Sequence, residues 1–300
     1  MAAHLVPGAD GASLNVRIDG PADAPVTVVL VHGWTLDLGT WGPVAESLLA
    51  TTPARVVRYD HRGHGRSAAV DESTMTIEQA ADDLAAVLDQ VAPSGPLVLA
   101  GHSMGGMTIM ALAEQHPHVL ARVAGVALVS TASGGLEQAT LGLPGPGVVA
   151  FRAVERRLYP SRRWRTQQRL GNPTLLRPAL RWLLVGPSSS PEAVRITVET
   201  VAACRPLTVS GFRATLEAHD RDVALAAFRE IPTVVLVGSR DKLTPVRYAR
   251  RLVAALPNAW LTVYPGAGHM LPVERVTAVS ARIRGLVDRA LVPAPTPATP

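Results

Sequence analysis

The sequence predicts an α/β protein in which a mostly parallel, twisted sheet has helices on both faces and a helical cap is inserted. Short apolar runs alternate with segments of helical periodicity, which is the pattern of parallel strands joined by crossover helices. Runs such as residues 26–31 and 97–100 are almost continuously apolar, as in strands that are buried on both faces. The alternation stops once, for roughly 85 residues, and such a stretch is too long for a bare loop.

Two short strands open the chain, and six apolar strands follow them. Residues 5–18 are expected to form the first two strands, around a glycine-containing turn at residues 8–11. The later strands are expected at residues 26–31, 55–59, 97–100, 123–129, 233–237 and 260–264. Helices are expected at residues 41–50, 76–91, 104–115, 245–255 and 272–291. Thr76 is the expected N-cap of the second helix.

These elements divide the chain into an interrupted core, an insertion and a tail. The α/β core is expected at residues 1–133 and 221–291, and the helical cap at residues 134–220. Open parallel sheets place their binding sites at the carboxyl ends of the strands, so the cap is expected over that edge. Residues 292–300 are of low complexity (VPAPTPATP) and are expected to be disordered.

The composition limits the range of functions. Aromatic residues make up 4% of the chain, which disfavours nucleic-acid binding despite the net charge of +5. No apolar stretch has the length of a membrane span, and the amino-terminal residues do not resemble a secretory signal. Cys204 is the only cysteine, which excludes an internal disulfide. We therefore expect a cytoplasmic protein, whose oligomeric state stays open.

A serine in a sharp turn is the strongest chemical signal. Gly101-His102-Ser103-Met104-Gly105 has the pattern G-x-S-x-G between a buried strand and a helix. This context exposes the serine hydroxyl at the carboxyl edge of the sheet, and the helix amino terminus behind it favours negative charge. The two glycines lack Cβ, so the strand and the helix can approach closely. Ser103 is therefore the candidate nucleophile.

A serine nucleophile needs a general base, and His269 is the best placed of the nine histidines. It lies in a glycine-rich loop after the last strand, from which its ring can reach the carboxyl edge of the sheet; a solvated loop histidine is the alternative. Four histidines in turns near the same edge are expected to have structural roles: His32, His61, His64 and His102. The pair in H-x-x-H lacks a further ligand at a recognised spacing, so no metal site is expected.

The base needs a carboxylate that orients it, and Asp241 is the favoured candidate. It follows the strand at 233–237 through a short turn at the same edge of the sheet. Asp60 also follows a strand at this edge but lies farther along the sheet, while Asp220 and Asp222 precede a strand; these three stay open as alternatives. The chain order serine, aspartate, histidine is the order found with a G-x-S-x-G elbow.

Four further motifs resemble those of the α/β-hydrolase superfamily and occur in the family's order. They are Val31-His32-Gly33-Trp34, the DHRGHGRS segment from Asp60 to Ser67, the GSRDKLTP loop from Gly238 to Pro245, and Gly266 to His269 with Pro272 and Glu274. The resemblance runs from about residue 16 to residue 287, without much of the insertion. It is closest in character to bacterial esterases, carbon–carbon hydrolases and cofactor-free haloperoxidase-like enzymes.

The resemblance implies a serine hydrolase that acts by acyl transfer on an ester-like carbonyl and needs no cofactor or metal. It also implies that the main-chain N–H groups of Trp34 and Met104 form the oxyanion hole, and that Asp60 and Arg62 stabilise a loop. Members that open epoxides or remove halides have aspartate where this chain has Ser103, which disfavours those reactions. A lyase, cyclase or perhydrolase, a thioesterase for a carrier protein and a small-molecule binding protein stay open as rivals.

The insertion is expected to select a small-molecule substrate with an apolar acyl part. Its aromatic side chains are candidates for the wall of an acyl pocket, and they fit a small core of the cap equally well: Phe151, Tyr159, Trp164 and Trp182. A run of arginines between residues 152 and 169 indicates either a solvated helix face or a surface that attracts anions.

Overall fold

The computed structural model describes residues 4–138, 143 and 145–292, except for the side chains of Gln138 and Phe151. Eight strands form one sheet in the order β1-β2-β4-β3-β5-β6-β7-β8. They are β1 His4–Pro7, β2 Ser13–Asp19, β3 Val26–Val31, β4 Ala54–Tyr59, β5 Leu97–His102, β6 Val123–Val129, β7 Thr233–Gly238 and β8 Trp260–Tyr264. Strands β3 to β8 pair in parallel, and β1 and β2 pair antiparallel. The predicted mostly parallel α/β class is confirmed.

Helices connect the strands and fill the insertion. The α-helices are α1 Gly42–Thr51, α2 Ile77–Val91, α3 Met104–Gln115, α4 Pro117–Leu120, α5 Gly145–Leu158, α6 Arg162–Arg165, α7 Pro173–Leu184, α8 Pro191–Ala203, α9 Pro206–Gly211, α10 Arg213–Glu217, α11 Val246–Ala255, α12 Leu271–Glu274 and α13 Val276–Leu291. Short 3-10 helices lie at Leu38–Trp41, Glu72–Thr74, Leu136–Gln138 and Val223–Phe228. Thr76 caps α2 as predicted, because its side chain accepts from the Gln79 N–H at 3.0 Å.

The central strands β3, β5 and β7 bury both of their faces, whereas β8 at the edge of the sheet is partly exposed. In β3, Val28 and Leu30 join the core that lies under α1 and α13, whereas Val29 and Val31 join the core under α2, α3 and α11. This alternation follows from the two-residue period of a strand. The continuous apolar runs of the sequence therefore correspond to central strands that are covered by helices on both sides.

Some predicted helix boundaries differ from the structure, as α1 is shifted by one residue from the predicted 41–50. Pro245 is the N-cap of α11 rather than its first residue. The helix predicted at residues 272–291 is two helices, α12 and α13, because Arg275 between them has the non-helical backbone angles φ −137° and ψ 46°. This break leaves α12 as a single turn directly after the loop that contains His269.

Helices α5 to α10 lie between β6 and β7, within residues 134–220, for which the sequence predicts an inserted cap; we call this segment the insertion. Helices α7 and α8 form a third apolar cluster that includes Leu36, Met270 and Val273 of the core. This cluster attaches the insertion to the loops that follow β3 and β8.

Within the described residues, no helix has the length and hydrophobicity that crossing a bilayer requires. Residues 293–300 of the predicted disordered tail lie outside the described part of the chain.

Candidate active site

Ser103 lies on the strained turn that the G-x-S-x-G pattern predicts. It joins β5 to α3 with φ 53° and ψ −119°, a backbone conformation that non-glycine residues rarely adopt. A Cβ atom on Gly101 would lie 2.5 Å from the Gly105 carbonyl oxygen, and one on Gly105 would lie 2.2 Å from that of Val31. Both glycines are therefore required for the close approach that holds this turn.

Asp241 and His269 form a buried pair at the same edge of the sheet. The Nδ1 atom of His269 lies 2.9 Å from Oδ2 of Asp241. The Asp241 carboxylate also accepts from the main-chain N–H groups of Leu243 (2.9 Å) and Thr244 (2.8 Å), and from the Thr244 hydroxyl (2.9 Å). Burial alone would raise the pKa of Asp241, but His269 and these donors outweigh it and keep that pKa below its usual value of 3.8. Asp241 is therefore ionised at neutral pH.

His102 links the serine turn to the histidine loop. Its Nε2–H donates to the main-chain oxygen of His269 at 2.9 Å, and the two ring centroids are 4.9 Å apart. Burial lowers the pKa of His102 to about 3, so its ring is neutral. Because His102 is adjacent to Ser103 in the chain, this contact fixes the position of the His269 loop relative to the elbow.

Trp34 and Met104, which were predicted to supply oxyanion donors, both lie beside Ser103. Met104 is the first residue of α3, where a main-chain N–H has no acceptor within the helix. Trp34 follows Gly33, and a Cβ atom on Gly33 would lie 3.0 Å from the Cβ of Ser103. The absence of a side chain at Gly33 thus brings the loop after β3 into contact with the serine turn.

The three histidines that follow β3 and β4 organise loops. The Nδ1–H of His32 donates to the Gly33 oxygen at 2.8 Å, and its Nε2 accepts from the His61 N–H at 3.0 Å. The Nε2 of His64 likewise accepts from the Thr35 N–H at 3.2 Å. Burial lowers the pKa of all three rings, so they are neutral hydrogen-bonding groups. Among the described residues, no cluster of three or more potential metal ligands occurs.

The rival carboxylates have other partners. Asp60 accepts from the Leu38 N–H (2.7 Å), the Arg66 N–H (2.9 Å) and the Asn15 side-chain amide (2.7 Å), which agrees with the loop-stabilising role that the resemblance implies. Asp222 pairs with Arg251 at 2.5 Å.

The second residue expected to stabilise a loop is Arg62. Its guanidinium is fully buried and forms ion pairs with Asp83 at 2.7 Å and with Asp10 at 2.9 Å.

The last rival carboxylate, Asp220, also lies near a cation, with an oxygen 3.9 Å from Arg251. Of the four candidate aspartates, the structure brings Asp241 to His269.

A small cavity of about 80 Å³ adjoins Ser103. Its apolar walls are Trp34, Met107, Leu136, Leu216 and Leu243, and Thr244, Arg213 and Glu217 complete the lining. Leu136, Leu216 and Leu243 were not among the predicted substrate-binding residues. Leu136 lies in a 3-10 helix, Leu216 in the short helix α10 and Leu243 two residues after Asp241. No periodic pattern in the sequence identified them as pocket residues.

The aromatic residues of the insertion were candidates for an acyl-pocket wall or for a small core of the cap, and the described lining of this cavity does not include them. Trp182 is 48% exposed and lies under the ammonium group of Lys242. Tyr159 and Trp164 stack on each other, with ring centroids 5.3 Å apart. The expectation for these three residues is therefore corrected, because they pack within the insertion or at its surface. The side chain of Phe151 lies outside the described residues.

Glu274 has a role that the sequence motif did not reveal. Its carboxylate accepts from the N–H groups of Gly268 (2.9 Å) and Met270 (2.9 Å), which flank His269. It also accepts from the Gly186 N–H at 2.8 Å and from the Ser189 hydroxyl, both of which belong to the insertion. One carboxylate thus joins the histidine loop to the insertion.

Fold and site together define a serine hydrolase of the α/β-hydrolase superfamily. The sequence profile of the family described as serine aminopeptidase S33 matches residues 22–276, and the chain belongs to this family. The resemblance and the enzyme class that the sequence predicts are confirmed.

Relatives of known name cover nearly the whole chain. A pimeloyl-[acyl-carrier protein] methyl ester esterase of Chromobacterium violaceum is 30% identical, over 85% of this chain and 91% of its own. A thermophilic esterase of Thermogutta terrifontis superposes with a TM-score of 0.76 at 25% identity, over 97% of this chain and 100% of its own. An esterase of Rhodococcus sp. ECU1013 gives 0.74 at 27% identity, over 96% and 99% of the two chains.

Proposed function

We propose that this hydrolase cleaves carboxylic esters through an acyl-enzyme formed on Ser103. The observation that supports this most directly is the buried Asp241–His269 pair, 2.9 Å between Oδ2 and Nδ1, beside a serine on a strained strand-to-helix turn. The solved structures of similar fold include named esterases, which agrees with a carboxylic-ester hydrolase. In this proposal Ser103 is the nucleophile, His269 the general base and Asp241 the residue that orients it.

The pairing of His269 with Asp241 sets the direction of proton transfer. The Nδ1–H of His269 donates to the carboxylate, so Nε2 is the nitrogen that holds a lone pair. As Oγ of Ser103 bonds to the carbonyl carbon, Nε2 takes the hydroxyl proton and the carbonyl electron pair moves to oxygen. The ionised Asp241 stabilises the imidazolium that results.

Collapse of the tetrahedral intermediate completes the first half of the reaction. The bond to the alkoxy group breaks, the leaving oxygen takes the proton from His269, and the acyl group stays on Ser103. Water then attacks the acyl carbon while His269 takes its proton, and the serine is released when that proton returns to Oγ. The products are one carboxylic acid and one alcohol, and the residues named so far suffice for every step.

We assign the oxyanion hole to the N–H groups of Met104 and Trp34. The contact of Gly33 with the serine turn and the free N–H at the start of α3 support this assignment. Removal of one side-chain donor from an oxyanion hole costs about 3 kcal/mol in the transition state of acyl transfer, and we expect a similar contribution from each of these groups.

Residues 134–220 serve in this proposal as a cap that limits the acyl group. Leu136 and Leu216 from the two ends of the insertion supply apolar walls to the cavity at Ser103, whose volume is about 80 Å³. Such a cavity fits a short or slender apolar acyl part better than a bulky one. The substrate is accordingly a small molecule, and a cytoplasmic location stays a prediction.

A panel of p-nitrophenyl esters of increasing acyl length tests the proposal. The wild-type protein should hydrolyse the short esters, and rapid quenching followed by mass spectrometry should find one acyl group on Ser103. Ser103→Ala should be inactive on the whole panel. Absence of hydrolysis by a folded wild-type protein would favour a lyase, cyclase or binding protein, and selective cleavage of acyl thioesters would favour a thioesterase.

A further inference from the structure

A second cavity, of about 460 Å³, lies at the seam between the insertion and the core. Arg181 and Trp182 near the end of α7 line one side of it, and Arg240 and Lys242 on the loop that contains Asp241 line the other. We call these four residues and the space between them the cationic cleft. It shares no lining residue with the cavity at Ser103.

The cationic cleft has positive charges without negative ones. Three of its lining residues are cations and none is an aspartate or a glutamate. Other surface arginines of this chain are matched with acids: Arg195 contacts both Glu192 and Glu199. Within the described residues, Arg181, Arg240 and Lys242 form no ion pair.

Lys242 is held in place by Trp182. Its Nζ atom lies 3.5 Å from the centroid of the Trp182 ring and donates to the Trp182 main-chain oxygen at 2.5 Å. Desolvation lowers the pKa of Lys242. One of its three N–H donors is used by the carbonyl, so further donors are available to a ligand. Lys242 is the only lysine of the chain, in which all other basic side chains apart from histidine are arginine.

We propose that the cationic cleft binds a small multivalent anion through its phosphoryl or carboxylate groups. Guanidinium groups present paired donors that match the oxygens of both groups, and a fixed ammonium adds a point charge. No carboxylate lines the cleft, and the neighbouring carboxylates of Asp241 and Glu274 are bonded to their own donors, so their repulsion of an anion is reduced. This site goes beyond the ester hydrolysis proposed above, because no residue of the triad or of its cavity takes part in it.

The position of the site gives binding a structural consequence. Arg181 and Trp182 belong to the insertion, whereas Arg240 and Lys242 flank Asp241 in the core. An anion that contacts both sides therefore holds the insertion against the loop of the triad acid. Binding of the anion should stabilise the folded protein. Added salt should weaken the binding, because the charged groups of the cleft are near the surface and are screened.

Calorimetric titration at low ionic strength tests this inference, with pyrophosphate and citrate as separate probes. The wild-type protein should bind at least one of them saturably, and the stronger probe identifies the preferred group. Lys242→Gln and Arg181→Gln should each weaken binding roughly tenfold, the effect expected of one charge-assisted hydrogen bond. The matched control is Arg250→Gln on α11, which removes a surface charge outside the cleft and should change the affinity by less than about twofold.

Two results would overturn the proposal. One is the absence of saturable binding of either anion to the wild-type protein. The other is an equal loss in Arg250→Gln and in the cleft variants, since that pattern reports net charge and not a site. Ester hydrolysis is assayed separately, so failure of anion binding and failure of the proposed esterase are distinguishable.

Discussion

The main-chain N–H of His269 donates a hydrogen bond to the main-chain oxygen of Leu184, 2.8 Å away. The backbone of the proposed base is therefore hydrogen-bonded to the insertion. The backbones are in close contact here, because a Cβ atom on Gly186 would lie 2.1 Å from the Gly266 oxygen. The Glu274 carboxylate joins the same two segments, because it accepts hydrogen bonds from the N–H groups of Gly186 and Gly268. The segment after α7 is thus the part of the insertion that is held against the loop of His269.

Replacement of Glu274 should misplace the proposed base. In Glu274→Gln the side chain keeps its size, but an NH2 group replaces one of the two oxygens that accept from Gly268, Met270 and Gly186, so in either orientation of the amide an N–H donor faces another N–H donor and the junction must shift. A displacement near 1 Å can cost about 100-fold, so we expect kcat for an acetate ester to fall by about 10- to 100-fold with KM little changed.

The control for this prediction is Glu199→Gln, which removes an exposed carboxylate of α8 that pairs with Arg195. It should retain wild-type kinetics. Both variants are compared at a temperature where each is folded, and the pH–rate profile is recorded. An unchanged kcat and profile in Glu274→Gln would show that this junction only stabilises the fold.

Ser103 should be the single target of a fluorophosphonate probe, because it is the proposed nucleophile on the strained G-x-S-x-G turn at the start of α3. Labelling should disappear in Ser103→Ala. Ser130→Ala is the matched control, since Ser130 also has a positive φ of 46° at the carboxyl edge of the sheet and is buried. Peptide mapping of the labelled protein locates the adduct, and labelling that survives Ser103→Ala contradicts the assignment.

Asp241→Asn should lower kcat by at least about 100-fold, because an amide donor at this position favours the wrong imidazole tautomer. In a serine protease the corresponding change costs about 10⁴-fold. Asp222→Asn is the control, as its partner is Arg251 and not the base. If Asp222→Asn or Asp60→Asn is inactive while Asp241→Asn has near wild-type rates, the orienting carboxylate is misassigned.

Local motifs allowed the elbow, the acid and the base to be predicted, whereas the cavity wall was not predictable in the same way. Ser103 and the turns that contain Asp241 and His269 follow β5, β7 and β8, so the parallel order of the sheet brings them to one edge. Helical periodicity shows that Trp182 lies near an apolar face of α7, but it does not show which surface that face meets. The contact with Lys242 depends on how the insertion returns to the core, which is tertiary information.

Leu216, rather than Trp182, should set the acyl-length preference. Leu216 is 7% exposed and lines the cavity at Ser103. Leu216→Ala enlarges that cavity, so kcat/KM should rise for esters that are one or two methylenes longer, by up to about fourfold per methylene buried. Trp182→Ala is the control and should leave the chain-length profile unchanged. Equal proportional losses on every ester in Leu216→Ala would assign this residue to stability alone.

Stability should fall in acid because of the buried histidines. Burial lowers the pKa of His64 and of His102 to about 3, against 6.5 for an exposed ring. Below pH 6.5 the unfolded chain therefore binds protons that the folded protein does not, and stability decreases as the pH falls towards 3. Each ring should cost about 2 kcal/mol between pH 6.5 and pH 5.

Urea unfolding at pH 7 and at pH 5 measures this effect. His102→Gln should show a smaller loss between the two pH values than the wild-type protein, whatever its stability at pH 7. His118→Gln, at an exposed position on α4, should retain the wild-type pH dependence. A pH dependence that is the same in all three proteins would contradict the assignment of neutral buried rings.

The solitary lysine also makes this protein a simple target for amine chemistry. An N-hydroxysuccinimide ester has two kinds of amine to modify, the α-amino group and Lys242, whereas most enzymes offer many lysines. A dye or a solid support coupled at Lys242 would be attached next to the Trp182 ring, 3.5 Å from the ammonium in the unmodified protein. The indole of Trp182 in the insertion would quench the dye on Lys242 in the core. A rise in dye fluorescence would then report each separation of the insertion from the core.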